Sequence, residues 1–494
     1  MDYTHVIGMI GEVVPGGVSE VTGLVPRGPA PAEDEPRERG MATHSYDLVI
    51  VGAGSGNMLQ IDEFAGWRIA VVELCRFGGT CLNRGCIPSK MLVHTADIAQ
   101  MVRHAGQFGI GAKWAGADWP AIRERVFGRI DPLHERAVAY RRSHGVDVFL
   151  GEARFTAPKL LQVGEDEIRA ERFVLATGSC PHIPPVDGLA AVPYLTSDTV
   201  MRLDRLPKSM VVMGGGYIAA EMSHVFGSLG TRVIIVARGG QLLPQHDMDI
   251  RARFTELYRE RFDLRLCAAV RQVAKTRKGV SLDLVTPSGA QTTAEGEVLL
   301  VAAGRVPNSD WLDVAAAGIE VDAHGHVRTD DTYATSVPGI WALGDLANHF
   351  QLKHMANAEA RLVLYNLLHP GQPRRAPFTV VPSAVFAGPQ VASVGATEQE
   401  LQANGRPYVA ATRSYSDAAY GWALEDTTSF VKVLADPATR LLLGAHIIGP
   451  QASTLIQPLI QAMCLGNTAD QIGSGVLYIH PALTEVVEQA LLEL

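Results

Sequence analysis

The sequence predicts an α/β protein with two Rossmann-like dinucleotide-binding domains and a C-terminal α+β domain. Two glycine-rich loops, which begin at Gly52 and at Gly214, each follow a short apolar strand. After Pro382, alternating apolar segments are typical of an antiparallel sheet. The chain has 494 residues, which is enough for two to four domains.

The composition excludes several classes of protein. Hydrophobic residues make up 47% of the chain and charged residues 19%, which is typical of a globular protein with large cores. A formal charge of −9 does not favour binding to nucleic acid or to an anionic membrane surface, and no apolar run is long enough to span a membrane. Six cysteines in so long a chain do not form a secreted disulfide framework, so we expect a reducing, cytoplasmic location.

Residues 1–44 differ from the rest of the chain. The segment 26–40 is rich in proline, glycine and acidic residues and has no apolar periodicity. It also lacks the basic-then-apolar order of a signal peptide. We expect a disordered extension, or the product of a start codon placed too early, with Met41 as a plausible true start.

The first glycine-rich loop predicts a strand, a tight turn and a helix that together bind a dinucleotide. A strand at 46–51 leads into Gly52, and the glycines allow a pyrophosphate to approach a helix N-terminus. A second strand, 68–72, ends at Glu73, where an acid accepts hydrogen bonds from the adenosine ribose. Asn57 replaces the third glycine of the pattern, so we expect looser packing of the helix on the strand.

The second glycine-rich loop predicts a second dinucleotide site with a different preference. The strand at 210–213 runs into the loop, and the strand at 232–236 leads to Arg238 at the ribose position. An arginine there suits a 2′-phosphate, which favours NADPH over NADH. Each glycine-rich loop, taken alone, could be an ordinary turn. Two such loops, each with the expected strand before it and the expected residue type after it, predict two dinucleotide sites.

Cys81 and Cys86 indicate the chemistry. Four residues separate them, so neither a zinc site nor the two-residue thioredoxin loop fits, and we expect no metal. The apolar stretch from Ile87 predicts a helix with Cys86 at its N-terminus, where free N–H groups and the helix dipole lower a thiol pKa. A dithiol beside a dinucleotide pocket indicates electron transfer between a cofactor and a disulfide. The alternative is a structural disulfide or two buried free thiols.

The remaining segments complete the predicted domain organisation. A short apolar strand leads to Asp345, and a helix is expected over 352–365. Strands are expected at Ser383–Phe386, Val391–Val394, Phe430–Leu434 and Leu441–Ile448, and helices at Thr454–Cys464 and Leu483–Leu492. The predicted domains are 45–180 and 306–376 for the first dinucleotide, 181–305 for the second, and 377–494 for the C-terminal sheet.

From about Tyr46 to its end, the chain resembles the class I FAD-dependent pyridine nucleotide–disulfide oxidoreductases. The motifs that carry the resemblance are Gly78–Lys90, Gly52–Asn57, Gly214–Glu221, Ala176–Gly178, Ala303–Arg305, Ala342–Asp345 and His480–Pro481 with Glu485. Within the family it most resembles the mycothione reductases, through Ser55–Met58, Phe127–Pro132, Ala419–Thr427 and Leu455–Met463.

The resemblance implies FAD in the first fold, NADPH in the second, and a C-terminal dimerisation domain. The residues implied at FAD are Gly52, Gly54, Ser55, Gly56, Glu73, Gly79, Thr80, Lys90, Thr177, Gly178, Gly344 and Asp345. Those implied at NADPH are Gly214, Gly216, Tyr217, Ile218, Arg238 and Gly304.

The resemblance also implies the catalytic residues. Cys86 is expected to be the flavin-facing charge-transfer thiolate, and Cys81 the interchange thiol that attacks a substrate disulfide. Lys90 and Glu221 correspond to the ion pair beside the flavin. His480, held by Glu485, is expected to be the general acid–base, supplied by the other subunit of a homodimer.

The expected function is therefore NADPH-dependent reduction of a small-molecule disulfide, mycothiol disulfide above all, to maintain thiol redox balance. The enzymatic alternatives are glutathione reductase and lipoamide dehydrogenase, including as a subunit of a multienzyme complex. A different class of function is also possible, namely a flavin-bound scaffold protein with no turnover of its own. The intact cysteines and His480 argue against it. Two departures from the family pattern are Arg84, where a small apolar residue is usual, and Pro244, where NADPH enzymes often carry a second basic residue.

Overall fold

The computed structural model of the protein describes residues 43–59 and 61–494. The expectation of an N-terminal extension therefore lies outside the described residues, apart from its last two positions. Thr43 and His44 belong to the first strand, which is three residues longer at its start than the sequence predicts.

The strands of the described residues are β1 Thr43–Val51, β2 Ile69–Glu73, β3 Asp147–Leu150, β4 Ala153–Ala157, β5 Leu160–Val163, β6 Asp166–Leu175, β7 Ser179–Pro181, β8 Ser209–Met213, β9 Arg232–Val236, β10 Asp263–Arg265, β11 Ala269–Thr276, β12 Gly279–Val285, β13 Gln291–Gly296, β14 Val298–Val301, β15 Arg305–Pro307, β16 Ile340–Ala342, β17 Ser383–Val385, β18 Val391–Gly395, β19 Val409–Ser414, β20 Phe430–Ala435 and β21 Leu442–Ile448.

The α-helices of this same part of the chain are α1 Gly79–Arg84, α2 Cys86–His104, α3 Trp119–Ile130, α4 Leu133–Ser143, α5 Tyr217–Ser228, α6 Met248–Arg261, α7 Ser309–Leu312, α8 Lys353–Leu368, α9 Glu398–Ala403, α10 Ala419–Ala423, α11 Ala452–Leu455, α12 Gln457–Leu465, α13 Ala469–Gly473 and α14 Thr484–Glu493. Of the helices described, none is long and apolar enough to cross a membrane.

The first domain is built on a sheet in the order β3-β2-β1-β6-β5-β4, with β16 also paired to β6. Strands β3, β2, β1, β6 and β16 run parallel, and Val49 in the centre pairs with Ala70 on one side and Phe173 on the other. The strand β16 comes from far along the chain and pairs Trp341 with Val174. A late segment of the chain thus completes this sheet.

The prediction of a helix directly after the first glycine-rich loop is wrong. Two short 3-10 turns, Ser55–Met58 and Ile61–Glu63, take its place. The carbonyl of Asn57, which an α-helix would use, accepts a hydrogen bond from the buried Arg141 at 3.0 Å, and the Asn57 side-chain oxygen accepts another at 2.6 Å. Asn57 therefore anchors the loop to α4 instead of packing a helix on the strand.

The second domain has a parallel sheet in the order β10-β9-β8-β14, with the antiparallel sheet β11-β12-β13 beside it. Val211 at its centre pairs with Ile234 and Leu299. Helix α5 follows β8 and packs against α2 of the first domain. One continuous core joins residues of α2, α3, α5 and α6 with the C-terminal strands, so the two domains share buried apolar surface.

The C-terminal domain is an antiparallel sheet in the order β17-β18-β21-β20-β19 with helices packed on it. The edge strand β19 was not predicted, because its sequence VAATRS lacks a clear apolar alternation. The single helix predicted over 454–464 is two helices that meet at Ile456. Pro458 explains the break, since it has no N–H to donate to the carbonyl of Thr454, four residues earlier.

A buried lysine ties the C-terminal sheet to the second domain. Lys432 of β20 is 2% exposed, and its ammonium lies 2.9 Å from Asp247, 2.5 Å from Asp249 and 2.6 Å from Glu398. Burial raises the pKa of Asp247, but hydrogen bonds from the Glu398 amide and from Lys432 outweigh it and lower the net pKa. Charges taken from water in this way are stabilising only while they remain paired.

We expect Lys432→Met to destabilise the fold by about 3–5 kcal/mol, because it leaves the buried carboxylate of Asp247 without its counter-charge. Urea denaturation of the variant and the wild type measures this difference. Lys278→Met, which changes an exposed lysine, is the control and should stay within about 0.5 kcal/mol. A Lys432→Met protein as stable as the control would contradict this account.

Candidate active site

The two cysteines lie on either side of a break at Gly85, between α1 and α2. Gly85 separates the helices with φ −139° and ψ −117°, and a Cβ atom at Gly85 would lie 2.9 Å from the carbonyl oxygen of Thr80. Only glycine fits so close to that carbonyl. Gly85 therefore lies directly against Cys81 of α1, and the next residue, Cys86, is the first residue of α2, where the sequence predicts it.

Asn83 holds the start of α1 in place. It is buried, and its side-chain amide donates to the carbonyls of Phe77 at 2.9 Å and of Gly79 at 3.0 Å. A Cβ atom at Gly79 would lie 2.7 Å from the Cα of Gly54, so α1 packs directly on the first glycine-rich loop. The dithiol is thereby fixed beside the first dinucleotide site.

The thiols of Cys81 and Cys86 form an asymmetric pair. All the described cysteines are free thiols, and Cys81 donates a hydrogen bond to Cys86. That hydrogen bond, together with the charge of Lys90, outweighs burial and lowers the pKa of Cys86 to about 7. The same hydrogen bond, together with burial, raises the pKa of Cys81. The pair therefore ionises first at Cys86, at about neutral pH.

The ion pair of Lys90 with Glu221 stands one turn along α2. The Lys90 ammonium lies 2.7 Å from both carboxylate oxygens of Glu221, which is 4% exposed. The amide N–H of Phe386 donates to the same carboxylate at 3.0 Å, and the ammonium lies 4.7 Å from the centre of the Phe386 ring. Side chains from three domains thus meet beside the dithiol.

The first glycine-rich loop has the geometry of an adenine dinucleotide site. A Cβ atom at Gly52 would clash with the carbonyl of Ala176, so β1 and β6 approach closely there. The carboxylate of Glu73, at the end of β2, accepts hydrogen bonds from the N–H groups of Ala53 at 2.7 Å and Cys75 at 2.9 Å. Further acceptor positions of that carboxylate remain for ribose hydroxyls. Gly54, Ser55 and Gly56 belong to this loop.

Unpartnered polar atoms support the fit of a flavin dinucleotide to this site. The hydroxyl of Thr177 and the side-chain carbonyl of Asn357 are buried without a hydrogen-bond partner among the described residues. Buried polar atoms of this kind normally have a partner, which a bound dinucleotide would supply. Asp345 lies nearby at the end of β16 and accepts a hydrogen bond of 2.7 Å from Ser179. Thr177 and Gly178 follow β6, and Gly344 follows β16.

The second glycine-rich loop has a similar form. It spans Gly214 to Gly216 between β8 and α5, and α5 begins with Tyr217 and Ile218. Tyr217 is 41% exposed as a whole residue, and burial of its hydroxyl raises the pKa to about 12. Arg238 is exposed just beyond β9, and Gly304 precedes β15.

His480 and Glu485 form their own pair away from the thiols. The Nδ1 of His480 lies 2.8 Å from Glu485, whose other oxygen accepts from the N–H of Ala482 at 3.1 Å. The hydrogen bond with His480 lowers the pKa of Glu485. The His480 side chain is 72% exposed, and within the described chain its polar contact is with Glu485. Within one subunit, this imidazole makes no hydrogen bond to the described cysteines.

Sequence reasoning missed Lys353 and did not identify the partners of Arg84 and Arg305. The Lys353 ammonium donates to the hydroxyl of Ser55 at 3.0 Å. Arg84, whose role the sequence leaves open, pairs with Asp198 of the second domain at 3.3 Å. Arg305 is nearly buried and donates to the hydroxyl of Ser179 at 2.8 Å. Lone basic residues of this kind carry no spacing signal, so only the fold reveals their partners. Among the residues described, no cluster of potential metal ligands is present.

Comparison with known proteins agrees with this geometry. Residues 46–360 match the family described as pyridine nucleotide-disulphide oxidoreductase, and residues 381–491 match its dimerisation domain. The chain is 44% identical over 461 residues to a mycothione reductase of Mycobacterium tuberculosis, which covers 91% of this chain and 99% of that protein. It is 32% identical over 457 residues to a dihydrolipoyl dehydrogenase of Halobacterium salinarum, with 90% and 95% covered.

A solved structure shows the same fold. The HOCl-induced flavoprotein disulfide reductase of Escherichia coli superposes with a TM-score of 0.80 at 26% identity, covering 91% of this chain and 99% of that chain. The fold and the site together define a flavoprotein disulfide reductase. The chain belongs to the class I pyridine nucleotide–disulfide oxidoreductase family, with FAD and NAD(P)H as cofactors, and its dimerisation domain supports a homodimer.

The reduced protein should show one thiol that ionises near pH 7, because Cys81 and Lys90 stabilise the Cys86 thiolate. A pH titration of thiolate ultraviolet absorbance, taken as the difference between the wild type and Cys86→Ser, measures it. Lys90→Met should move the midpoint upward by about one unit. A wild-type midpoint at the ordinary thiol value of about 8.5 would overturn the assignment.

Proposed function

We propose that this chain is an NADPH-dependent flavoprotein reductase that converts mycothiol disulfide to mycothiol and so maintains thiol redox balance. The observation that carries the proposal is the asymmetric Cys81–Cys86 dithiol beside the Lys90–Glu221 pair, in a chain 44% identical to a mycothione reductase. A dihydrolipoyl dehydrogenase activity is the second candidate, supported by a relative at 32% identity. The cytoplasmic location stays a prediction.

The cysteines divide the chemistry between them. FAD, when bound, passes the two electrons of the nicotinamide cofactor to the Cys81–Cys86 disulfide. Cys81, as thiolate, then attacks the substrate disulfide; a new S–S bond forms to Cys81 and one substrate thiolate leaves. Cys86 attacks the mixed disulfide at Cys81, which restores the internal disulfide and releases the second substrate thiolate. The two electrons end on the two released thiols.

A proton donor is required at each release, and His480 is the candidate. Imidazole titrates near neutrality and can protonate a leaving thiolate. The carboxylate of Glu485, 2.8 Å away, orients the ring and stabilises its protonated form. In this scheme Lys90 and Glu221 keep the flavin side of the dithiol polar while α2 holds Cys86 in place.

We propose that His480 serves the cysteines of the partner subunit. The segment before it is apolar yet uncovered in one chain: Leu477 is 99% exposed, Ile479 is 77% exposed and Val476 is 50% exposed. Contiguous apolar surface of this kind indicates an interface. The match to the dimerisation domain extends over this segment. A second subunit that covers it would bring its dithiol next to the exposed imidazole.

The preference for NADPH rests on two guanidinium groups. Arg238 is exposed at the ribose position, ready for a 2′-phosphate. Pro244 cannot supply the second positive charge, but the Arg251 guanidinium donates to the Pro244 carbonyl at 3.2 Å and places a charge on the same loop. This contact supports NADPH use despite the proline.

The preference for mycothiol disulfide over glutathione disulfide rests on Asp62. Glutathione reductases place an arginine seven residues after the serine of the first loop, where this chain has Asp62, exposed on the second 3-10 turn. Glutathione disulfide carries four carboxylates, which an acid repels. A carboxylate suits the hydroxyls of a glucosaminyl-inositol thiol, because it accepts their hydrogen bonds.

The purified holoenzyme should reduce mycothiol disulfide with NADPH far faster than glutathione disulfide or lipoamide, and NADH should be the poorer donor. Steady-state assays with each disulfide and each nucleotide measure this. Asp62→Arg should raise kcat/KM for glutathione disulfide by about tenfold, the effect of one charge-assisted contact of about 1.4 kcal/mol.

The matched control is Glu63→Arg, which makes the same change of charge on the neighbouring exposed residue. It should leave kcat/KM for glutathione disulfide within about twofold of the wild type, since a guanidinium at that position makes no charge-assisted hydrogen bond with the substrate. Wild-type turnover of glutathione disulfide equal to that of mycothiol disulfide would rule out the proposed substrate, and faster turnover of lipoamide would favour the second candidate.

Complementation tests the shared site. Cys81→Ser and His480→Ala homodimers should each be nearly inactive. Random pairing of equal amounts makes half the dimers hybrids, each with one doubly damaged site and one intact site, so activity should recover to roughly a quarter of the wild-type value. Native mass spectrometry counts the hybrids. Hybrids without recovered activity would show that His480 does not act across the interface.

A further inference from the structure

Lys353 places a second ammonium group at the dithiol site. It is the first residue of α8 and half-buried, and its Nζ donates to the hydroxyl of Ser55 at 3.0 Å. Ser55 belongs to the first glycine-rich loop, and Gly54 of that loop packs against Gly79, the first residue of α1. Because Cys81 follows two residues later on α1, the hydrogen bond to Ser55 holds the ammonium beside the helix that carries the interchange thiol.

The two lysines of the site differ in their pairing. Lys90 is bound by both oxygens of Glu221, which neutralise much of its charge. In the described chain, the hydrogen bond of the Lys353 ammonium is to the neutral hydroxyl of Ser55, and no carboxylate lies within ion-pair distance. The nearby carboxylate of Asp345 accepts a hydrogen bond from Ser179. The positive charge of Lys353 is therefore less neutralised by protein carboxylates than the charge of Lys90 is.

The two lysines also differ in the sulfur atoms that they affect. Charge from Lys90 contributes to the lowered pKa of Cys86. Charge from Lys353 favours the thiolate of both Cys86 and Cys81. Burial lowers the pKa of Lys353 itself, while Cys81, Cys86 and Asp345 act in the opposite direction. The charge of Lys353 therefore acts on both sulfur atoms.

We propose that Lys353 is a positioning residue of the dithiol, which stabilises its single negative charge on either sulfur atom and so lets the thiolate pass from Cys86 to Cys81. The proton moves the other way, from the Cys81 Sγ to the Cys86 Sγ, and no electron is transferred. This role rests on the proposed disulfide reductase function, but not on which disulfide is the substrate.

The shift of charge is needed because the resting thiolate is on the wrong sulfur for attack. Cys86 ionises before Cys81, yet Cys81 must be the nucleophile toward substrate. A cation near Cys86 alone would oppose this transfer, since opposite charges attract more strongly at short distance. The ionisable groups near the dithiol are Lys90 of α2, Lys353 of α8, Tyr217 and Glu221 of α5, Asp345 after β16 and, in the proposed dimer, His480 of the partner subunit.

Alkylation of the reduced holoenzyme by iodoacetamide, without any disulfide substrate, tests the proposal. The rate of Cys81 modification, followed by peptide mass spectrometry between pH 5 and 9, reports its thiolate population. Lys353→Met should slow Cys81 alkylation at neutral pH by about tenfold, which corresponds to a pKa rise of about one unit. Lys353→Arg keeps the charge and should restore most of the rate.

Two further variants separate electrostatics from structure. Ser55→Ala keeps the ammonium but removes its hydrogen bond, and should slow Cys81 alkylation less than Lys353→Met does. Lys90→Met should raise the midpoint of Cys86, seen in the charge-transfer absorbance with the flavin, more than it affects Cys81. Flavin content equal to the wild type shows that each variant is folded, and Lys353→Gln replaces Lys353→Met if the latter loses FAD.

Unchanged Cys81 alkylation in folded Lys353→Met or Lys353→Gln would overturn the proposal. Equal loss in Lys353→Arg and Lys353→Met would also overturn it, because the side chain would then matter for its shape and not for its charge. Since no substrate is present, these outcomes are independent of the test for mycothiol disulfide. Failure of mycothiol disulfide turnover with a normal alkylation pattern would refute the substrate and leave this role intact.

Discussion

The contact of Lys90 with Glu221 is the interaction on which the arrangement of the site depends. Glu221 is almost completely buried, so its charge is tolerable only while the ammonium and the amide of Phe386 compensate it. Lys90 comes from the dithiol helix, Glu221 from the second nucleotide domain, and Phe386 from the C-terminal domain. The contacts among these three residues hold α2 against α5, and they thereby fix the position of Cys86 at the start of α2.

The surrounding fold stabilises the negative charge of the dithiol. A thiolate in a half-buried site loses hydration, and burial alone would raise its pKa. The hydrogen bond from Cys81, the N-terminal end of α2 and the nearby ammonium groups offset this cost, so Cys86 ionises at about neutral pH. The same principle acts at the domain boundary, where Lys432 is stable in the interior only because three carboxylates surround it.

Much of the fold follows from local patterns in the sequence. The glycine-rich loops, the strands before them and the position of Cys86 at a helix start were predicted, because short-range sterics decide them. The helix after Asn57 was predicted wrongly, since the side chain that prevents it, Arg141, is 84 residues away. The edge strand β19 was missed because its pairing with β20, and not its own sequence, makes it a strand.

The sequence by itself determined the family, the two dinucleotide folds and the cysteine pair. Each of them depends on a short run of contiguous residues whose types are required by the local backbone conformation. The resemblance paired Lys90 with Glu221, but only the tertiary structure decided which other charges meet at the site. Lys90 and Glu221 are 131 residues apart, and Lys353 and Ser55 are 298 apart. No spacing rule connects such residues; they meet because the packing of separate sheets and helices brings them together, and the electrostatics of the dithiol depend on that packing.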